Sequence, residues 1–243
     1  MLFSESDFYE ELIQSLSQMN HIRPSDYQNI DLYMDQVTTF MSTNLSAAKS
    51  NPEDKILTKT MINNYAKDDL LPPPIKKKYS KDHMIVLTFI YYLKNFLSIS
   101  DIRNILNPLT ERFFNEDDAS ASMDDVYGEI YRIIKEELHF VSDDVNQKIK
   151  VAGSSFSDIN DSEDQDFLQT FSLICMLSYD VYLKKQIISS LINKISAENE
   201  KAKEQENKKE PKKDVKKDSK KDSKKDSKKD SKKSPKNEQT PQD

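Results

Sequence analysis

The chain has 243 residues, enough for one or two domains, and a formal net charge of −6. Its only glycines are Gly128 and Gly153, which argues against enzymes that cradle phosphates on loops of closely spaced glycines. The single cysteine, Cys175, excludes an intramolecular disulfide and fits a reducing compartment.

Charge is unevenly spread. Residues 197–243 hold 17 Lys against 12 acids, so residues 1–196 carry −11. Within these, Lys55 to Met84 holds seven Lys against three Asp. A basic segment in an acidic chain points to an electrostatic partner, or to no more than a solvated face. Residues 1–20 carry acids and no positive side chain, so no signal pattern is expected. The longest apolar run, Phe171 to Leu177, is broken by Ser172 and falls short of the roughly 18 residues of a membrane span. The expectation is a cytoplasmic protein without a membrane partner.

Residues 1–24 form an N-terminal unit. Ser4 to Met19 is expected to be an amphipathic helix, with Phe8, Leu12, Ile13 and Leu16 at helical spacing and acids near its start. Asn29 or Asp31 opens a second helix, DLYMDQVTTFM, with Leu32, Val37, Phe40 and Met41 inward and Asp35 and Gln36 outward. Ser42 to Asp54 is a connector.

Thr58 then caps a helix running to about Lys67. Ile62, Tyr65 and Ala66 give it a buried side. Lys59, Thr60, Asn63, Asn64 and Lys67 are left on or near the other, offering the hydroxyl, amide and ammonium groups that read base edges and phosphates. An ordinary surface helix has the same pattern. Leu70 and Leu71 return to the core, and Pro72 to Pro74 force an extended path. Lys76, Lys77 and Lys78 follow in a turn. Ser80 caps a helix apolar nearly all round, which is therefore buried on several sides. Ser98 with Asp101 resembles a capping box, and Ile99, Ile102, Ile105 and Leu106 form a packing stripe up to Pro108.

This succession resembles the winged helix-turn-helix domain of the MerR class of bacterial transcription regulators. Thr58 stands at the cap of the recognition helix, Tyr65 at its terminal tyrosine, Leu70-Leu71-Pro72 after the turn, and Tyr79-Ser80 at the end of the wing. The combination of IDLYMDQVTTFM, LTKTMINNY and KKKYSKDH is more similar still to a MerR-related bacterial family known as a domain of unknown function. The resemblance covers about Ile30 to Leu109. It implies an all-α fold: a MerR-like helix-turn-helix with a minimal wing at residues 25–109, then a C-terminal helical region at 110–196. Three departures stand out. Asn63 occupies the place of an arginine that often meets DNA, Asp69 replaces the glycine of the turn, and the wing is short. The linker before Thr58 is also longer than the usual tight turn.

Beyond Pro108, Met123 to Leu138 reads as an amphipathic helix with Met123, Val126, Tyr127, Ile130, Ile133, Ile134 and Leu138 on one side. Asp158 to Asp166 is dense in acids, but Glu163 and Gln169 occupy the glycine and final-glutamate positions of an EF-hand. A solvated loop and helix start is expected there. Phe167 to Ile195 reads as one long helix or two abutting ones. It is either a core helix of a C-terminal bundle, with Cys175 buried and inert, or a dimer interface. MerR-class proteins dimerise through C-terminal helices, so the resemblance implies a homodimer. Residues 197–243, with KKDS four times in a row from Lys216 to Ser231, are expected to be a disordered Lys/Asp-rich tail.

Two functions are in play. One is a DNA-binding transcription regulator in which Lys59, Thr60, Asn63, Asn64 and Lys67 face the major groove of double-stranded DNA while Lys76, Lys77 and Lys78 contact flanking phosphate. The other is a protein-interaction module on the same fold that does not bind DNA. No enzyme, cofactor or metal site is expected, because His21, His83 and His139 are scattered and Cys175 is not at ligand spacing to them. An effector pocket among the C-terminal helices has no ligand that the residues name.

Overall fold

The computed structural model describes residues 6–17, 21–46, 53, 55–115 and 120–209. They form α1 (Ser6–Ser17), a 3-10 turn (Pro24–Asp26), β1 (Leu32–Tyr33), α2 (Met34–Asn44), α3 (Lys59–Lys67), β2 (Lys78–Tyr79), α4 (Lys81–Leu93), α5 (Ile99–Phe113), α6 (Met123–Gly153) and α7 (Ser162–Lys209). Helices dominate, as expected. The two strands pair antiparallel, Leu32 opposite Tyr79 and Tyr33 opposite Lys78.

The core is built around α4. Met84, Ile85, Val86, Leu87, Thr88, Ile90 and Tyr91 are all buried. A helix without a polar face must be covered on several sides, and α2, β2, α5 and α6 supply the cover. The hydroxyl of Thr88 in this run is satisfied locally. It donates to the Met84 carbonyl at 2.9 Å and lies 2.8 Å from Tyr27 Oη. Since the threonine has one proton, Tyr27 is the donor of the second bond. Tyr127 Oη donates to the Ile22 carbonyl at 2.6 Å, tying α6 to the chain before the 3-10 turn. These bonded hydroxyls remove the cost of carrying polar groups into the core.

Several boundaries differ from the sequence expectation. Asn29 and Asp31 do not open α2. Leu32 and Tyr33 are strand, and the helix begins at Met34 with the Gln36 side chain accepting from the Tyr33 amide at 2.9 Å. Pairing with β2, distant in sequence, overrides the helical pattern. Val37 and Met41 are inward and Asp35 and Gln36 outward, as expected. In α1, Phe8 is exposed rather than inward.

α5 does not stop at Pro108. The proline forfeits its bond to the carbonyl four residues back, yet Leu109 and Phe113 pack against the core and carry the helix to Phe113. α6 runs well past Leu138, because Val145 and Ala152 are buried on the side that meets α7. Packing does not break at residue 109: Met123 and Tyr127 of α6, and Ile192 of α7, belong to the same core as α4.

α7 is one continuous helix of 48 residues, about 70 Å long. Asp161 caps it, its carboxylate accepting from the Glu163 and Asp164 amides at 2.9 and 3.0 Å. α7 returns antiparallel along α6, held by Gln169 Nε2 donating to the Gly153 and Ser155 carbonyls. Lys148 bridges Asp144 of α6 and Asp180 of α7. Farther on, α7 passes α5.

α7 extends to Lys209, past the boundary at 196 drawn from composition; Ala, Glu, Lys and Gln between Ala197 and Lys209 are strong helix formers that propagate a turn already made. The KKDS repeats lie outside the described residues. Cys175 is exposed, not buried. The reason is its neighbourhood: Phe171 and Ile174 beside it are also uncovered. Among the described residues no helix is long and apolar enough to cross a membrane.

Candidate nucleic-acid interface

α3 is a short helix with both ends sealed. Thr58 Oγ1 accepts from the Met61 amide at 3.2 Å. At the other end Asp69 takes φ 52, and the amides of Leu70 and Leu71 both reach the Tyr65 carbonyl, at 2.9 and 3.1 Å. This is the left-handed helix stop usually made by glycine; the short polar side chain of Asp tolerates it better than most. Leu70 and Leu71 are thereby turned straight into the core.

Ile62 and Tyr65 are buried beneath α3. Lys59, Thr60, Asn63, Asn64 and Lys67 are all exposed. They are a row of short amides and a hydroxyl flanked by two ammonium groups. Lys59 is engaged in an ion pair with Asp35 of α2. Both partners are largely solvated, so the pair is worth at most about 1 kcal/mol and is readily exchanged.

The three lysines of the turn are not equivalent. Ile75 and Lys78 exchange both backbone bonds, at 3.1 and 2.9 Å, which closes a two-residue hairpin. Lys76 and Lys77 are its tip, with φ 50 and 65. A hairpin of this kind wants Asn-Gly, because both central residues are left-handed. Two lysines there hold about 1–2 kcal/mol of strain apiece. Both are exposed, whereas Lys78 is half-buried with its Nζ 5.4 Å from the centre of the Tyr33 ring.

α2 joins the two features. Its first turn meets α3 through Asp35 and Lys59, and Tyr33 immediately before it carries Lys78. α3 and the lysine hairpin therefore flank the same end of α2.

His83 anchors the hairpin from below. It is 1 % exposed. Its Nδ1 accepts from the Ser80 amide at 3.0 Å, and Nε2 faces the Pro73 carbonyl at 3.4 Å. The ring thus spans the start of α4 and the proline path. Burial pushes its pKa down against the opposing pull of the Pro73 carbonyl and Asp82. The imidazole is accordingly neutral, with its proton on Nε2, the nitrogen facing the carbonyl. His83 thus caps the start of α4 from a buried position. On the far side of α4, Lys94 Nζ donates to the Ile56 carbonyl at 2.8 Å and steadies the segment leading into α3.

No group of His, Cys, Asp and Glu among the described residues is arranged to hold a metal. Neither the curated proteins nor the solved structures offered a match to the chain. Residues 22–130, from the segment before the 3-10 turn to the second turn of α6, match the family model of DUF1836, a domain of unknown function.

Proposed function

We propose that the protein is a DNA-binding transcription regulator of MerR-like helix-turn-helix type, with α3 entering the major groove and the lysine hairpin resting on flanking phosphate. The observation that carries the reading is that five polar side chains of α3 and the hairpin tip are exposed and flank one end of α2. Asn63 and Asn64 supply bidentate amide groups suited to adenine. Lys67, Lys76 and Lys77 supply point charges that position without reading sequence. Residues 55–112 hold 10 basic against 5 acidic side chains, whereas the rest of residues 1–196 carries a net −16, which would direct polyanion binding within this region to the α3 face.

Retention of a genomic DNA pool by the full chain, followed against salt, tests the reading. Each phosphate contact contributes about 0.9 to the slope of log affinity on log salt. The triple variant Lys76→Ala, Lys77→Ala, Lys78→Ala should flatten that slope by about 2–3 and weaken binding to all sequences alike. No retention by the wild-type chain at low salt would end the proposal.

A second reading, a protein-interaction module that has left DNA, draws on Asn63 in place of an arginine and on the engagement of Lys59 with Asp35. It expects the triple variant to keep its protein partner.

A further inference from the structure

Between the C-terminal half of α4 and the N-terminal half of α6 lies a cavity of about 550 Å³. Protein interiors are close-packed, with few voids larger than a water molecule. A space of this size is in the range of small-molecule sites rather than of packing gaps. Its walls are aromatic: Phe89, Tyr92 and Phe96 from the α4 side, Tyr127 and Tyr131 from α6, with His21 at one edge.

The back wall is rigid. Tyr127 is clamped by its bond to the Ile22 carbonyl, and its ring meets Tyr27 and Phe89 edge-on with centroids 5.1 and 5.6 Å away. The front is open, since Phe96 is 44 % exposed. Among the described residues, the only polar side chains on the lining, besides the tyrosine hydroxyls, are His21 and Asn95, and none of these is a permanently charged group. The His21 ring lies 4.5 Å from that of Tyr92, and burial lowers its pKa, so it too is neutral at pH 7. The Tyr92 hydroxyl is buried without a hydrogen-bond partner. Such groups are rare in folded proteins, and leaving one unpaired costs about 1–3 kcal/mol.

We infer that this cavity is a binding site for an uncharged, flat aromatic molecule carrying one hydrogen-bonding group, stacked among the α4 and α6 rings and bonded at the His21, Tyr92 and Asn95 edge. The aromatic walls favour a planar π-system in offset or edge-on contact. The lack of an opposite charge among the described lining residues disfavours an ion, whose desolvation they would not offset. The site does not depend on the nucleic-acid reading, because it lies under the far half of α4.

The probe is N-phenyl-1-naphthylamine, an uncharged aromatic amine whose emission rises on entering an apolar site. Titrated with the full chain, it should bind saturably, one per protomer. Ile134→Trp fills the cavity and should weaken binding more than about tenfold. Phe96→Ala, at the exposed mouth where the core is not emptied, should weaken it in the same direction. Val151→Trp, at an exposed position near the C-terminal end of α6 and away from the cavity, should leave affinity within about twofold. The proposal is overturned if both cavity variants bind as the wild type does, or if Val151→Trp abolishes binding. It is equally overturned if tetraphenylphosphonium, a cation of similar bulk, displaces the probe at lower concentration than uncharged naphthalene derivatives do.

Discussion

Lys76 and Lys77 show how a single backbone angle can separate stability from function. Their left-handed geometry is unfavourable, and no contact in the core rewards it. Replacing them by Asn and Gly relieves the strain, and stability should rise by about 1–2 kcal/mol. In urea unfolding the midpoint should increase with an unchanged slope. The same double variant should bind DNA more weakly, so a gain in one measurement accompanies a loss in the other. His83 makes a different prediction. Its folded pKa lies below the ordinary value of 6.5, so the unfolded chain binds the proton more readily. Its contribution is complete above pH 6.5 and is lost as pH falls through the lower folded value. The urea midpoint should therefore drop between pH 7.5 and the acid side of that window. His83→Gln should reduce the drop, leaving the part due to His21, whose pKa burial also lowers. An equal drop in wild type and His83→Gln would contradict this account.

Among the elements, α7 poses the clearest problem. Ile192 is buried and Ile188 half-buried, but Phe167, Phe171, Ile174, Tyr182, Ile187 and Leu191 are each more than half exposed. The expectation of a core helix thus holds for one side of α7 only. Apolar exposure on this scale along one helix marks an interaction surface more often than a free one. We propose that a second copy of the chain covers it, as dimeric DNA readers place two helices on half-sites. Sedimentation equilibrium should then give twice the 28.2 kDa of the chain. Ile187→Glu with Tyr182→Glu should return the single mass while helix content is kept, and DNA affinity should fall with it. A wild-type chain that sediments as one copy would remove α7 from the proposal. α4 is the opposite case over most of its circumference: apart from Phe89, Tyr92 and Leu93, which line the cavity, its apolar positions are covered, and substitutions there should act on folding alone.

Across the whole molecule, much of the plan was legible in the chain. The Thr58 cap, the Ile62 and Tyr65 underside, the return at Leu70-Leu71 and the buried α4 all follow from short-range rules: capping, helical period and the apolar count of one segment. So does the outward set on α3, because a helix of nine residues with two buried side chains leaves its polar groups nowhere else to go. What the chain could not disclose depends on partners distant in sequence. β1 exists because Tyr79 lies opposite Leu32, and helical periodicity says nothing of that pairing. α5 outlasts Pro108 because the core holds Leu109 and Phe113, and Cys175 is exposed because, among the described residues, none covers that side of α7. The inequality of Lys78 with Lys76 and Lys77, the depth of His83 and the aromatic cavity have the same origin. Local propensity reads one segment at a time, whereas burial, ring contacts and empty space are properties of several segments brought together.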